Sequence, residues 1–192
     1  GASAMTTGRQ FDVYILAGTT VRRIGVDPVA EPEAIELATY ELPGEGGAIA
    51  YDDGSDEVVV LVPSMQQVLR LPADLARGST PRVQSVPSTV PVGDGAVMAV
   101  CPGDGSAWFA TKSSACVYGF DSRDASADFH TFCPELGGKE ITSLDFDDRC
   151  RLHAVVAGSV HRYARSTERE WVPSPTRAFD DSHAGRGLRV AR

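Results

Sequence analysis

Val21-Arg22-Arg23-Ile24 returns as Val68-Leu69-Arg70-Leu71, as Val117-Tyr118-Gly119-Phe120 and as Val160-His161-Arg162-Tyr163, at separations of 47, 49 and 43 residues. A second element begins at Ala48, Ala96, Ile141 and Leu188, each just after a glycine-rich turn, with spacings of 48, 45 and 47. A period in this range belongs to stacked supersecondary units, none of which can bury its apolar faces alone. The repeat therefore decides the fold before any motif is read.

Inside each unit a glycine-rich turn leads to an apolar strand, a polar turn, a second strand, a tight hairpin, a third strand and a looser fourth. The second unit shows all of these: Ala48 to Tyr51, the turn Asp52-Asp53-Gly54, Val58 to Val62, Gln67 to Leu71, and a fourth strand near Val83 to Val86. Short strands rich in Val and aromatics, broken by turn residues at short intervals, are an all-β signal, and no window shows sustained helical periodicity. Four antiparallel strands per unit, repeated about an axis, predict a β-propeller of about four blades. Small residues in the first strands, as in Ala48-Ile49-Ala50 and Ala96-Val97-Met98-Ala99, suit inner strands crowded near the axis.

The first unit lacks an inner strand in this reading, since it opens at Phe11 to Leu16, which matches the second strand of the others. Gly185 to Ala191 repeats the pattern of Gly44 to Ala50, so a C-terminal strand paired with the N-terminal blade is expected to close the ring. Closure would remove exposed sheet edges. The expected domain is 6–192, with blades near 11–43 plus 187–192, 44–92, 93–136 and 137–175. Residues 1–5 are read as an expression scar and disordered N-terminus. The rival reading, a fragment of a longer propeller with an oligomerisation role, stays open.

The net charge of −8 conceals an asymmetry: residues 1–148 hold 22 acids against 9 Lys/Arg, net −13, and residues 149–192 hold 4 acids against 9 Arg, net +5. The acidic body would repel nucleic acid, which is not expected as a partner, whereas the basic end would attract an acidic surface. Arg165, Arg169, Arg177, Arg186 and Arg189 are the candidate partner-binding residues, with pairing to the protein's own acidic blades as the plainer reading. No apolar run has the length of a membrane span and no leader is evident, so a soluble, cytoplasmic protein is the expectation. Cys101, Cys116, Cys133 and Cys150 fall 15, 17 and 17 apart with no Cys-x-x-Cys pair, which favours buried free thiols over a metal site or disulfides.

In the third unit, Asp104-Gly105-Ser106-Ala107-Trp108-Phe109-Ala110-Thr111, followed by Val117-Tyr118-Gly119-Phe120-Asp121, resembles the repeat of streptogramin-lyase-like and related propellers. The other units match it loosely. The Trp-Asp ending of WD-repeat blades is absent, as are the aromatic-rich strands of hemopexin-like domains. The resemblance implies propeller geometry and says little about activity.

Candidate chemistry is sparse. Asp52-Asp53-Gly54-Ser55-Asp56 and Asp145-Phe146-Asp147-Asp148 are the densest carboxylate clusters, and both occupy predicted hairpins where Asp and Gly serve turn geometry. His130, His153 and His161 fall inside predicted strands, and His183 in an irregular stretch. A lyase or lactonase would need such groups to converge at the channel mouth. No nucleophile elbow or phosphate loop is present. The repeated Arg23, Arg70 and Arg162, with Gly119 at the fourth equivalent position, could bind anions, but salt-bridging is the preferred reading. No catalytic residue, metal or cofactor is therefore assigned. The expected function is a non-catalytic protein-interaction scaffold, a subunit of a larger intracellular assembly, contacting partners through Ala73 to Val83 and Arg165 to Ser182. A small propeller lyase or hydrolase is the alternative, and a homo-oligomer is left open.

Overall fold

Among the described residues, sixteen strands in chain order form four antiparallel sheets of four, each built from consecutive strands. The first blade comprises β1 (Ala4–Thr7), β2 (Val13–Ala17), β3 (Thr20–Val26) and β4 (Ala34–Glu41); the second comprises β5 (Ala48–Asp52), β6 (Glu57–Val62), β7 (Gln67–Pro72) and β8 (Arg82–Ser85). The third contains β9 (Val97–Val100), β10 (Ala107–Ala110), β11 (Val117–Phe120) and β12 (Phe129–Phe132), and the fourth β13 (Ile141–Phe146), β14 (Leu152–Val156), β15 (Ser159–Arg165) and β16 (Trp171–Ser174). This is a computed structural model, and it describes residues 4–9, 12–26, 34–93, 95–112, 114–135, 137–165 and 170–174. Among these residues no helix is long and apolar enough to cross a membrane.

Each blade is a meander of consecutive antiparallel strands; its first and second strands, and its second and third, are joined by short turns, and short turns are the cheapest way to pair adjacent antiparallel strands. The blades then stack: β1 packs on β5, β5 on β9, and β9 on β13. Period-two alternation sends successive side chains of an inner strand to opposite faces, one toward the preceding blade and one toward the next. Ile49 and Tyr51 of β5 join the core shared with the first blade, whereas Ala48 and Ala50 join the core shared with the third. In β9, Met98 and Val100 face backward while Ala99 and Cys101 face forward. Leu144 and Phe146 of β13 again face backward, and Ala4 of β1 faces forward. Large side chains point back and mostly small ones point forward, Val97 being the exception in β9, so each blade settles its bulk over the smaller residues of its predecessor at close packing.

Three expectations are corrected here. The inner strand of the first blade is β1, paired with β2 from Ala4↔Leu16 to Thr7↔Val13. It occupies the place assigned to Leu188–Ala191, which lie outside the described residues, and it takes in Ala4 and Met5 from the stretch read as a scar. The pattern was missed because Ala-Met-Thr-Thr is too short and too polar to stand out as a strand. Among the described residues β13 is not packed on β1 as the other inner strands pack on one another, and Met5 is 73% exposed.

The cysteines are likewise paired, not free: Cys101 with Cys150 and Cys116 with Cys133. Val117 sits opposite Phe132 in the β11–β12 ladder, so Cys116 and Cys133 are the next facing pair, with Cα atoms 4.1 Å apart. Cys101 and Cys150 lie at the first hairpins of adjacent blades, joining the third to the fourth, and their separation of 49 is close to one repeat. Cross-strand facing is the signal for Cys116–Cys133, and the one-repeat separation, which puts two equivalent hairpins of adjacent blades side by side, is the signal for Cys101–Cys150.

Gly119 departs from the repeated arginine because Trp108 faces it across the β10–β11 ladder. A Cβ there would meet the Ala107 carbonyl oxygen at 2.5 Å and the Trp108 Cδ2 at 2.6 Å. The indole fills the space that a side chain would need.

Gly119→Ala is expected to destabilise the fold by about 1–3 kcal/mol through overpacking, read by chemical denaturation. Thiol alkylation before reduction should leave all four cysteines unlabelled. Breaking the 17-residue link should cost about 3 kcal/mol and the 49-residue link about 4 kcal/mol in the chain-entropy account, measured on Cys116→Ser/Cys133→Ser and Cys101→Ser/Cys150→Ser variants.

Candidate interaction surfaces

The densest charged constellation joins the second blade to the third. Arg70 on β7 is fully buried; its Nε donates to Gln84 Oε1 at 3.1 Å, its Nη1 to Asp52 Oδ2 at 3.0 Å and its Nη2 to the Gly105 carbonyl at 2.5 Å. Asp52, also fully buried, accepts Arg123 Nε at 2.7 Å and Arg123 Nη2 at 3.0 Å, besides the Gly54 amide at 3.1 Å. Gln84 in turn donates to the carbonyls of Ser122 and Asp124 at 3.1 and 2.7 Å. The glycines of two hairpins make this possible: a Cβ on Gly54 or on Gly105, the latter at φ +71°, would collide with the Arg123 side chain. Burial pushes the Asp52 carboxyl up, but Arg123 and Arg70 outweigh it and hold the group below the ordinary carboxylate value. Burial pulls Arg70 down from the usual guanidinium value against the opposing pull of Asp52 and Glu57.

The same position in the first blade carries a simpler pair, Arg23 Nε to Asp12 Oδ2 at 2.8 Å. Salt-bridging thus describes both Arg23 and Arg70. In the fourth blade, Asp147 is buried and organises its turn by accepting the Arg149 and Arg151 amides at 3.0 Å each and Arg151 Nε at 2.5 Å. Burial raises the Asp147 carboxyl, and its hydrogen bonds to Arg151 and Arg149 bring it below the ordinary value. The acidic runs serve hairpins and ion pairs together: Asp53 pairs with Arg9 at 2.9 Å, and Asp56 accepts the Tyr51 hydroxyl. Tyr14, whose hydroxyl donates to the Ala73 carbonyl at 2.9 Å, is pushed up to about 12 mainly by burial.

The seam between the third and fourth blades is aromatic. Trp108 meets Trp171 edge-on at 5.1 Å, and Arg165 lies 5.4 Å from the centroids of both rings. Its Nη1 reaches Asp104 Oδ2 at 3.5 Å. Of the five arginines expected to bind a partner, Arg165 is the one within the described residues, and its head is turned onto the neighbouring blade; Arg169, Arg177, Arg186 and Arg189 lie outside them, as does His183.

The three described histidines do not meet. His130 lies on β12, 3.6 Å from Asp121; His153 on β14, 3.4 Å from Asp147; and His161 on β15. Cys101, Asp104 and Cys150 bring two sulfurs and a carboxylate together, but the sulfurs are bonded to each other and are not thiolate ligands.

The most exposed apolar side chains on an outer strand are on β4. This strand runs eight residues where β8, β12 and β16 run four, and among the described residues it ends its sheet with one edge unpaired. Ile35 is 56% and Leu37 51% exposed. A bulge at Arg23/Ile24 re-aims the strand, and Leu37 leans over Gly25. No proline or lysine lies on this strand, and the bulge with Glu36 and Glu41 is what limits its edge.

The fold is that of a β-propeller, and solved structures show it. A catalytically inactive virginiamycin B lyase from Staphylococcus aureus with quinupristin is similar over 91% of this chain and 55% of its own, at 13% identity and a TM-score of 0.62. U3-55K is similar over 90% and 51%, at 10% identity and a TM-score of 0.65. A nidogen/laminin complex gives 84% and 59%, at 13% identity and 0.61. The chain therefore spans about half the length of the propellers it matches. No family model matches it, and no curated protein does.

Asp52→Ala should destabilise the protein by about 3–5 kcal/mol, because Arg70 would be left charged and buried without its partner. Asp52→Leu combined with Arg70→Met should recover most of that loss, read as a double-mutant cycle in denaturant. Asp52 and Asp147 both titrate below their unfolded value of 3.8, so their stabilisation is complete above that pH and is lost as pH falls through their folded values. Denaturation midpoints should accordingly be level near neutrality and fall steeply below about pH 4.

Proposed function

We propose that this chain is a protein-interaction module and not an enzyme. The observation that carries the reading is β4, a long unpaired edge presenting Ile35 and Leu37 to solvent. An edge of this kind offers a row of backbone donors and acceptors beside apolar anchors, which fits an extended segment of a partner added as a further strand. The state of the ionisable groups supports the same reading. Asp52 and Asp147 are held as carboxylates by arginines, and Tyr14 and Tyr51 are raised, so these shifts all lead away from the neutral range that general acid–base catalysis uses. One of the similar structures is itself a protein complex, that of nidogen with laminin. The two disulfides fit an oxidising setting better than the cytoplasm.

The lyase reading rests on the likeness to virginiamycin B lyase and would need a histidine or two carboxylates converging at the channel mouth. The described histidines lie on β12, β14 and β15, and Asp52 on the inner strand β5 is committed to Arg70 and Arg123, which supports the interaction reading over this one.

A photo-reactive residue in place of Thr39, on the same strand, should cross-link a defined partner in the protein's native cells. Ile35→Lys with Leu37→Lys should abolish that cross-link while leaving the circular dichroism spectrum unchanged. Undiminished cross-linking by the double variant would contradict the proposal.

A further inference from the structure

The strand β4 has two chemically different faces, and the register of its sheet assigns them. Val13 pairs with Ile24 and Ile24 with Glu36, Ile15 with Arg22 and Arg22 with Thr39, and Ala17 with Thr20 and Thr20 with Glu41. Residues in one cross-strand row share a face, so Glu36, Thr39 and Glu41 project to one side of β4. The side-chain contacts agree: Glu36 accepts the Thr39 hydroxyl at 2.8 Å and lies 3.7 Å from Arg22, and Glu41 accepts the Thr20 hydroxyl at 3.3 Å. Ile35 pairs with Gly25 in the next row and so projects to the opposite side, where the bulged Leu37 lies over the same glycine. Ala38 and Tyr40 continue that side into the core shared with the second blade. One face of the edge is therefore apolar, and the other carries two exposed carboxylates.

We infer, on the reading of β4 as a docking edge, that the segment it takes is an extended polypeptide in which apolar and basic side chains alternate. An added strand keeps the period of two, so its side chains beside Ile35 and Leu37 are apolar and those beside Glu36 and Glu41 are Lys or Arg. The longer-range field favours the same partner, since residues 27–45 hold six acids and no Lys or Arg. The glutamates that limit this edge thereby choose its occupant. A second copy of β4 would set glutamates against glutamates, and like charges directly opposite each other are unfavourable. Self-pairing is opposed by the same two residues that admit a basic strand. The eight residues of β4 span about 27 Å, which a partner segment of similar length covers.

The test uses the isotope-labelled full chain and three peptides as long as β4, alternating valine with lysine, with serine or with glutamate. The lysine peptide should shift the β4 amides with a dissociation constant about tenfold or more below that of the glutamate peptide, the serine peptide falling between. The difference should shrink as sodium chloride rises from about 0.05 M to about 0.5 M. Glu36→Lys with Glu41→Lys should reverse the order. Glu36→Gln with Glu41→Gln should level the three affinities and keep the circular dichroism spectrum of the wild type. Equal affinities in the wild-type chain, or an order unchanged by charge reversal, would overturn the charge selection and leave the docking edge standing. Peptides that shift no β4 amide would overturn both. Shifts in β4 that grow with protein concentration alone would place a second copy on the edge and overturn the inference as well.

Discussion

The architecture depends on one steric constraint, the alternation of large backward and small forward side chains along the inner strands. Ile49 and Tyr51 fill the junction with the first blade, and Ala48 and Ala50 leave room for Met98 and Val100. A four-stranded meander has two apolar faces and no core of its own, so each blade draws its stability from atoms supplied by its neighbours on either side. The second and third blades have them, and β5 is buried along its whole length.

Polar interactions are arranged around this stack and not in place of it. The Arg70–Asp52–Arg123 clamp spans one junction, and the Trp108–Arg165–Trp171 contact with the Cys101–Cys150 link spans the next. A buried ion pair adds little net stability, because desolvation offsets most of the attraction, but it penalises any slip that would part its members. The clamp therefore sets the register of the second blade against the third more than it holds the fold together. Its carboxylate is committed to arginines, which turns attention from a channel-mouth reaction to the edge strand.

Much of the fold was legible in the sequence, because blade geometry repeats and a repeat is visible in a single chain. The Val-x-Arg-x recurrence located the third strands, and the glycine-rich turns before Ala48 and Ala96 located two inner ones. Its failures were of one physical kind. β1 is short and polar, and what makes it a strand is pairing with β2. One disulfide depends on which residues face each other across a ladder, the other on how the hairpins of adjacent blades meet, and the Asp52 clamp on a loop from the next blade. The repeated arginine did point to Arg70, but nothing local showed that Gly54 and Gly105 exist to admit Arg123. Surface candidates fared least well, since exposure of Ile35 and Leu37 follows from β4 ending a sheet, and four of the five named arginines fall outside the described residues.

Amide hydrogen exchange of the inner strands tests the stacking account most directly. Amides of β5 and β9, each packed between two inner strands, should be the slowest to exchange, and those of β1, whose Met5 is 73% exposed, should exchange faster. Equal protection of β1, β5 and β9 would contradict the account.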